Sequence, residues 1–306
     1  MKPGKVERYI LEKIEEDGGI LLSLIDPDKT PFDKAAKIAK AAADGGTDII
    51  LVGGSIGAVG IILDRTTKMI KESVDIPVVL FPGSPEAVTR YADATYFMYA
   101  MNSRNVHWIT TVQTQAAPSI TKINIEPIPT AYIILEPGGT VGKIIDANMI
   151  PRDKADLAAA TALAGQYMGA HVIITDSGSG VKVPPALNVV QAIKSVVSVP
   201  YFYAGGCRTS EQAKSIIKAG ADGIHIGTAF ETHNGNQIKK RVAEMSKAIK
   251  EAGKHKIKHP RKVQALFSSL HMPSVERLKR KWEIRVERLR KVKIKFRRKK
   301  GIKNSL

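Results

Sequence analysis

The chain has 306 residues, 43% of them apolar, a formal net charge of +18 and a single cysteine, Cys207. That length supports one large core, and a lone cysteine excludes an intramolecular disulfide and fits a reducing compartment. No run reaches the ~18 consecutive apolar residues that span a bilayer, and the opening MKPGKVERYILEKIEED carries acids without an apolar signal-peptide core, so a cytoplasmic protein is expected.

The charge is unevenly placed. From residue 254 onward 20 Lys and Arg face 3 Asp and Glu, which leaves residues 1–253 with 27 bases against 26 acids. A neutral body, 1–253, and a basic C-terminal extension, 254–306, are therefore expected to have separate roles.

In chain order, apolar runs predict strands at 20–25, 49–52, 78–81, 95–99, 131–135, 172–174, 201–204 and 224–226. Most runs are continuous, as in strands buried on both faces. Helical patterns lie between them, for example FDKAAKIAKAAADGG and RDKADLAAATALAGQYMGA. Eight strands with intervening helices over ~250 residues predict an α/β fold, a (β/α)8 TIM barrel. The stretch after the third strand is short for a helix, so a modified barrel is expected. A shift of 123 residues lays Gly46 on Gly169, Ile76-Pro77-Val78 on Val199-Pro200-Tyr201, and Gly83 on Gly206, as two related half-barrels would. An open doubly wound sheet would bring an early G-x-G-x-x-G, and none is present.

Barrel chemistry sits where the strands end. The sixth strand runs into Asp176-Ser177-Gly178-Ser179-Gly180, the seventh into Gly205-Gly206, and the eighth into Gly227-Thr228. Glycines let backbone approach an anion, and successive N–H groups cradle it. Three adjacent loops of this kind point to a phosphate, although each glycine alone could simply make a turn. Asp176 beside a phosphate would be repelled by it, so it suits a hydroxyl group, which it could orient or deprotonate. Its other reading is a helix N-cap. The first strand ends in Asp26-Pro27-Asp28-Lys29, which suits a divalent metal holding a charged ligand; either acid could instead cap the next helix. Gly53-Gly54-Ser55-Ile56-Gly57 matches the hydrolase G-x-S-x-G. That reading needs a later Asp and His at loop ends, and His225 falls within a strand.

Taken together, SLIDPDK (23–29), DIILVGGS (48–55), VVLFPGSPEAV (78–88), MNSRN (101–105), EPGGTVG (136–142), SGSG (177–180), YAGGCRT (203–209) and GADGIHIGTA (220–229) resemble archaeal geranylgeranylglyceryl phosphate synthases. Bacterial heptaprenylglyceryl phosphate synthases are more distant relatives. The resemblance covers residues 5 to 250. It implies a modified TIM barrel, a homo-oligomer of two or six chains, and a Mg2+-dependent prenyltransferase. The implied reaction joins the sn-3 hydroxyl of sn-glycerol 1-phosphate to C1 of geranylgeranyl diphosphate, forming the first ether bond of archaeal membrane lipid. By the same resemblance Asp26 and Ser55 match the metal positions. Ile174, Thr175, Asp176, Ser177, Gly178, Ser179 and Gly180, with Gly205, Gly206, Gly227 and Thr228, match the glycerol-phosphate site, with Asp176 as the catalytic candidate. TYFMYAM and Trp108 could line a prenyl groove or be plain core. One departure stands out. The family carries tyrosine-leucine-glutamate-alanine where this chain has Ile174-Thr175-Asp176-Ser177, so the carboxylate is one methylene shorter and a tyrosine hydroxyl is missing.

In the extension, Ser274 can cap a helix whose Val275, Leu278, Trp282, Val286 and Leu289 share one face. The segment reads as a helical or partly disordered solvated extension. A basic amphipathic helix also suits an anionic membrane surface, giving peripheral attachment. Nucleic acid is disfavoured, because stacking aromatics are few. Two alternatives to the enzyme remain: an impaired barrel that binds membrane or nucleic acid, and a barrel enzyme with another phosphorylated acceptor.

Overall fold

The computed structural model describes residues 2–54, 58–227 and 235–258. Eight parallel strands close into a barrel in chain order: β1 (Ile20–Ile25), β2 (Ile49–Val52), β3 (Val78–Leu80), β4 (Ala94–Ala100), β5 (Glu126–Ile134), β6 (Val172–Asp176), β7 (Tyr201–Ala204) and β8 (Gly223–Ile226). The helices are α1 (Lys5–Asp17), α2 (Phe32–Asp44), α3 (Gly60–Ser73), α4 (Thr111–Ile123), α5 (Gly139–Ile144), α6 (Ala155–Tyr167), α7 (Leu187–Lys194), α8 (Ser210–Ala219) and α9 (Gly235–Lys258). β1 pairs with β8 in register, Leu22 opposite His225, which closes the circle. The modified barrel expected from the sequence is what forms: residues 81–93, between β3 and β4, contain no helix.

The continuous apolar runs bury both faces of the sheet. Leu22, Leu51, Tyr96, Tyr132, Ile174 and Phe202 fill the interior. Their neighbours Leu21, Ile50, Ile173, Tyr201 and Ile224 pack outward against the helices. α1 joins the interior cluster through Val6 and Ile10. The Glu126 carboxylate accepts hydrogen bonds from the Val6 and Glu7 N–H groups at 2.8 and 2.9 Å, satisfying two donors at that helix start.

The 123-residue repeat falls on β2 with β6 and on β3 with β7, four strands apart. Gly46 and Gly169, which precede β2 and β6, share left-handed φ values of 91° and 98°. β5 begins five residues before the predicted run, at Glu126-Pro127-Ile128-Pro129. Two prolines argue against a strand because they donate no ladder bond. Here both stand before Thr130, where the β6 pairing begins, so no bond is lost.

The amino-terminal ends of the strands are held by carboxylates. Asp48 accepts from the Leu21 N–H at 2.8 Å, Asp93 from Val78 at 2.8 Å, and Asp222 from Tyr201 at 3.0 Å. Each also meets a lysine from an outer helix: Lys250, Lys71, and the pair Lys194 and Lys256. α9 therefore runs past the expected boundary at residue 253 and fastens to the barrel through Lys256.

Burial alone would raise the Asp222 carboxyl, but Lys256 and Lys194 together hold it below its ordinary value. A carboxyl depressed in the folded state contributes stability above its unfolded value near pH 4, and loses it as pH falls through the folded one. Asp222→Asn is expected to lower unfolding free energy by about 3 kcal/mol at pH 7, since it leaves two ammonium groups without their partner. Urea titrations should show this gap narrowing near pH 3. A gap of equal size at both pH values would contradict the ion-pair account.

Candidate active site

At the carboxyl ends of β5, β6 and β7, three loops touch backbone to backbone. A Cβ on Gly178 would stand 2.6 Å from the Gly139 nitrogen, and one on Gly205 would stand 2.9 Å from the Gly178 nitrogen. Gly178, Gly180, Gly205 and Gly206 all have positive φ, between 72° and 100°. Left-handed backbone and absent side chains together make this packing possible. The result is a cavity of mixed character, where Ser179, Gly180, Gly205, Gly206, Arg208 and Gly227 face apolar residues such as Phe81 and Val181. Thr228, next in the same loop, lies outside the described residues. Ile174, Thr175 and Ser177 are fully buried in β6 and the start of its loop, so they shape the cavity from behind.

Asp176 ends β6 and is buried. Its Oδ1 accepts from the Gly178 N–H at 2.6 Å and its Oδ2 from the Tyr132 hydroxyl at 2.7 Å. It caps no helix, because α7 begins only at Leu187. Burial raises its carboxyl above the ordinary value, against the opposing pull of those two hydrogen bonds. A carboxylate raised in this way is a stronger base than one in water. Tyr132 is the cross-strand partner of Ile174.

Asp26 is buried at the end of β1. The Asp28 N–H donates to its Oδ1 at 3.1 Å, and Lys29 Nζ lies 2.7 Å from its Oδ2. Neither Asp26 nor Asp28 caps α2, whose N-cap is Pro31. A Cβ on Gly54 would stand 2.5 Å from Asp26 Oδ1, so the loop after β2 is fitted against this carboxylate. Ser55 lies outside the described residues. Among the described residues no group of three His, Cys, Asp or Glu side chains converges as a metal cage.

A second cavity begins at Asp26 and Asp176 and continues outward along β4. Its far part is lined by Val88, Phe97, Trp108, Val112, Ala116 and Ile120. It exists because no helix covers the sheet between β3 and β4. The expected strand-four residues alternate: Tyr96 and Met98 pack with the interior cluster, Phe97 packs with the outer one, and all three line this groove. The two cavities share Leu24, Phe81, Asp176, Ser179 and Gly227.

A model of the PcrB family matches residues 12–248. The geranylgeranylglyceryl phosphate synthase of Pyrococcus abyssi is 46% identical over 251 residues, 82% of this chain and all of that protein. This chain belongs to the PcrB family. The Methanococcoides burtonii synthase is 46% identical over 247 residues, 80% of this chain and 99% of that one. The crystal structure of the Thermoplasma acidophilum synthase, in complex with its substrate sn-glycerol-1-phosphate, aligns with a TM-score of 0.77 at 36% identity. That alignment covers 81% of this chain and 100% of the other. The PcrB match ends near the neutral body's end, so the basic extension stands outside it.

Within this PcrB barrel, sequence reasoning missed two cations. Arg208 donates to the Gly180 and Val181 carbonyls at 2.6 and 3.1 Å, strapping the loop after β6. Arg241, on α9, lines the glycine-loop cavity and donates to the Arg208 carbonyl at 3.3 Å. Arg208 directly follows the Gly205-Gly206-Cys207 turn, so its position was a usable signal. Arg241 is remote in sequence and gave none.

Two glycine substitutions separate backbone conformation from loop contact. Gly180 has φ 72° and open space where a Cβ would lie. Gly180→Ala should cost about 1 kcal/mol for the left-handed conformation alone. Gly178→Ala meets the Gly139 backbone as well and should cost about 2 kcal/mol more. Denaturant midpoints compare the two directly, and equal losses would refute the loop-contact reading.

Proposed function

We infer that the chain is a prenyltransferase that joins sn-glycerol 1-phosphate to geranylgeranyl diphosphate in ether-lipid synthesis. One observation carries this reading: an apolar groove and a glycine-lined cradle meet at a single buried carboxylate, Asp176. The cradle, with Arg208 and Arg241, offers N–H groups and cations to a phosphate. The groove offers an apolar surface to a C20 chain.

With both substrates bound, the sn-3 hydroxyl would lie beside Asp176 and near C1 of the prenyl chain. Its oxygen forms the new bond to C1. The C1–oxygen bond to diphosphate breaks, its electron pair leaves with diphosphate, and the hydroxyl proton passes to Asp176. Lys29, at the mouth beside Asp26, supplies positive charge to the departing diphosphate. Mg2+ fits the same corner. This ion is commonly held by one or two carboxylates plus substrate phosphates, and Asp26 is one buried carboxylate with lone pairs to spare. Bound there, the ion would neutralise charge on the leaving group. Ser55 completes the proposed pair of metal positions, and Gly227 with Thr228 the proposed cradle.

The test is direct. Purified protein, Mg2+, geranylgeranyl diphosphate and either sn-glycerol 1-phosphate or sn-glycerol 3-phosphate are incubated, and ether product is measured by mass spectrometry. Product from the 1-phosphate alone is expected. No product from either acceptor would sink the reading, and equal use of both would point to another phosphorylated acceptor.

Arg241→Gln should raise KM for sn-glycerol 1-phosphate about tenfold, the loss expected for a hydrogen bond to a charged group. KM for the prenyl diphosphate should hold. Parallel rises in both constants would remove Arg241 from the cradle.

The basic extension is proposed to attach the enzyme to anionic membrane, where prenyl substrate and ether product reside. No described helix is long and apolar enough to cross a membrane, and residues 259–306, with the amphipathic stretch read from the sequence, lie outside the described residues. Because Lys256 is fastened to Asp222, the chain is best truncated after residue 258. That protein should keep its turnover with short prenyl diphosphates but sediment poorly with anionic vesicles at low salt, since each engaged base contributes about 1 kcal/mol. Equal sedimentation of the two proteins would end the membrane reading.

A further inference from the structure

The barrel interior holds one polar contact whose purpose packing does not explain. Tyr132 is 4% exposed, and its hydroxyl donates to the buried Asp176 Oδ2 at 2.7 Å. Its ring is fixed from the side by Phe81, edge to face, with centroids 5.7 Å apart and planes at 84°. Phe81 is braced in the same way by Tyr96 and His225, at 5.7 and 5.6 Å. Asp176 is short, and its other oxygen, Oδ1, accepts from one backbone N–H, that of Gly178. Ile174, directly across from Tyr132, has no hydroxyl to offer.

We propose that Tyr132 is a positioning residue, holding the Asp176 carboxylate at the junction of cradle and groove so that one lone pair of Oδ2 faces the acceptor hydroxyl. Burial first, and the Asp176 charge second, hold the phenol far above its ordinary value, so it stays a donor. Two hydrogen bonds to the carboxylate fix its plane, which a single bond from Gly178 leaves free to rotate about the Cβ–Cγ bond.

The other charged or titratable groups on the two cavities are Asp26 and Lys29 after β1, Tyr96 on β4, Cys207 and Arg208 after β7, His225 on β8 and Arg241 on α9, and burial pushes the Cys207 thiol up to about 12, so it stays neutral. Burial pushes His225 down to about 3, so it is neutral at working pH, and Tyr96 shares a 3.3 Å hydrogen bond with its Nε2. Burial raises the Asp176 carboxyl, and the Tyr132 phenol is the side chain that opposes it, together with the Gly178 N–H. The phenol's hydrogen bond lowers the carboxyl; removing it should let burial raise the carboxyl further, and the acid limb of activity should move to higher pH.

The inference rests on the prenyltransferase reading, and Tyr132→Phe in the full chain tests it with two kinds of measurement. With substrates, kcat should fall at least tenfold while KM for the prenyl diphosphate holds, and the acid limb of kcat/KM should shift upward. In an Asp176→Asn background the same substitution should change kcat less than twofold, because the phenol acts through the carboxylate. Without substrates, carbon NMR of aspartate-labelled protein should show the Asp176 carboxyl titrating at higher pH in Tyr132→Phe. An unmoved titration, or a kcat loss of equal size in the Asn background, overturns the proposal. If wild-type protein makes no ether product but the carboxyl titration still shifts, the positioning role stands and the substrate assignment alone falls. Should Tyr132→Phe fail to fold, 3-fluorotyrosine at this position keeps the ring. Its stronger donor should move the titration downward, and no movement overturns the proposal.

Discussion

The loops after β5, β6 and β7 approach so closely that no side chain fits between Gly139, Gly178 and Gly205. Much of the site depends on that steric constraint. It turns the chain sharply after Asp176, which brings the Gly178 N–H onto the carboxylate. It leaves glycine backbone, Gly205 among it, along one side of the cradle cavity. It also makes the cradle a property of three strands at once, so a substitution in one loop is felt in the other two.

A second constraint is an absence. A complete (β/α)8 barrel covers every strand with a helix. Here residues 81–93 supply no helix between β3 and β4, and Phe97 and Ala116 line a groove beside β4. Burying β4 more fully would have added apolar stabilisation. The burial forgone there leaves the space of the groove proposed for the prenyl chain. The interior aromatic cluster of Phe81, Tyr96, Tyr132, Phe202 and His225 then keeps the inner end of the groove rigid.

The barrel was legible in the sequence because parallel strands buried on both faces leave unbroken apolar runs. β1, β2 and β7 have the predicted bounds. The start of β5 was not legible, since Pro127 and Pro129 count against a strand until one knows that β6 begins beside Thr130. The glycine loops were legible as a set but not in their cause: single glycines read as turns, and only the packed loops show that Gly178 and Gly205 make room for each other. Asp26 and Asp176 stood out as acids at strand ends. Tyr132 and Arg241 did not, because one sits in an ordinary apolar run and the other on a helix far along the chain. Their proximity to the site is created by strand register and by helix packing, which no local pattern records.

The seam between β8 and β1 joins the ends of the folded chain. Leu22 pairs with His225, Ser246 reaches back 200 residues to the Gly46 carbonyl, and Lys250 reaches 202 residues to Asp48. During synthesis, then, the first strand waits with one edge bare until nearly all of the barrel has left the ribosome. Contacts so distant along the chain are slow to form, and a bare edge strand invites wrong partners. α1 precedes β1 in the chain and packs its Val6 and Ile10 in the same cluster as Ile20 and Leu22 of β1. It is thus available as an early cover for that strand, long before the last helix arrives to close the ring.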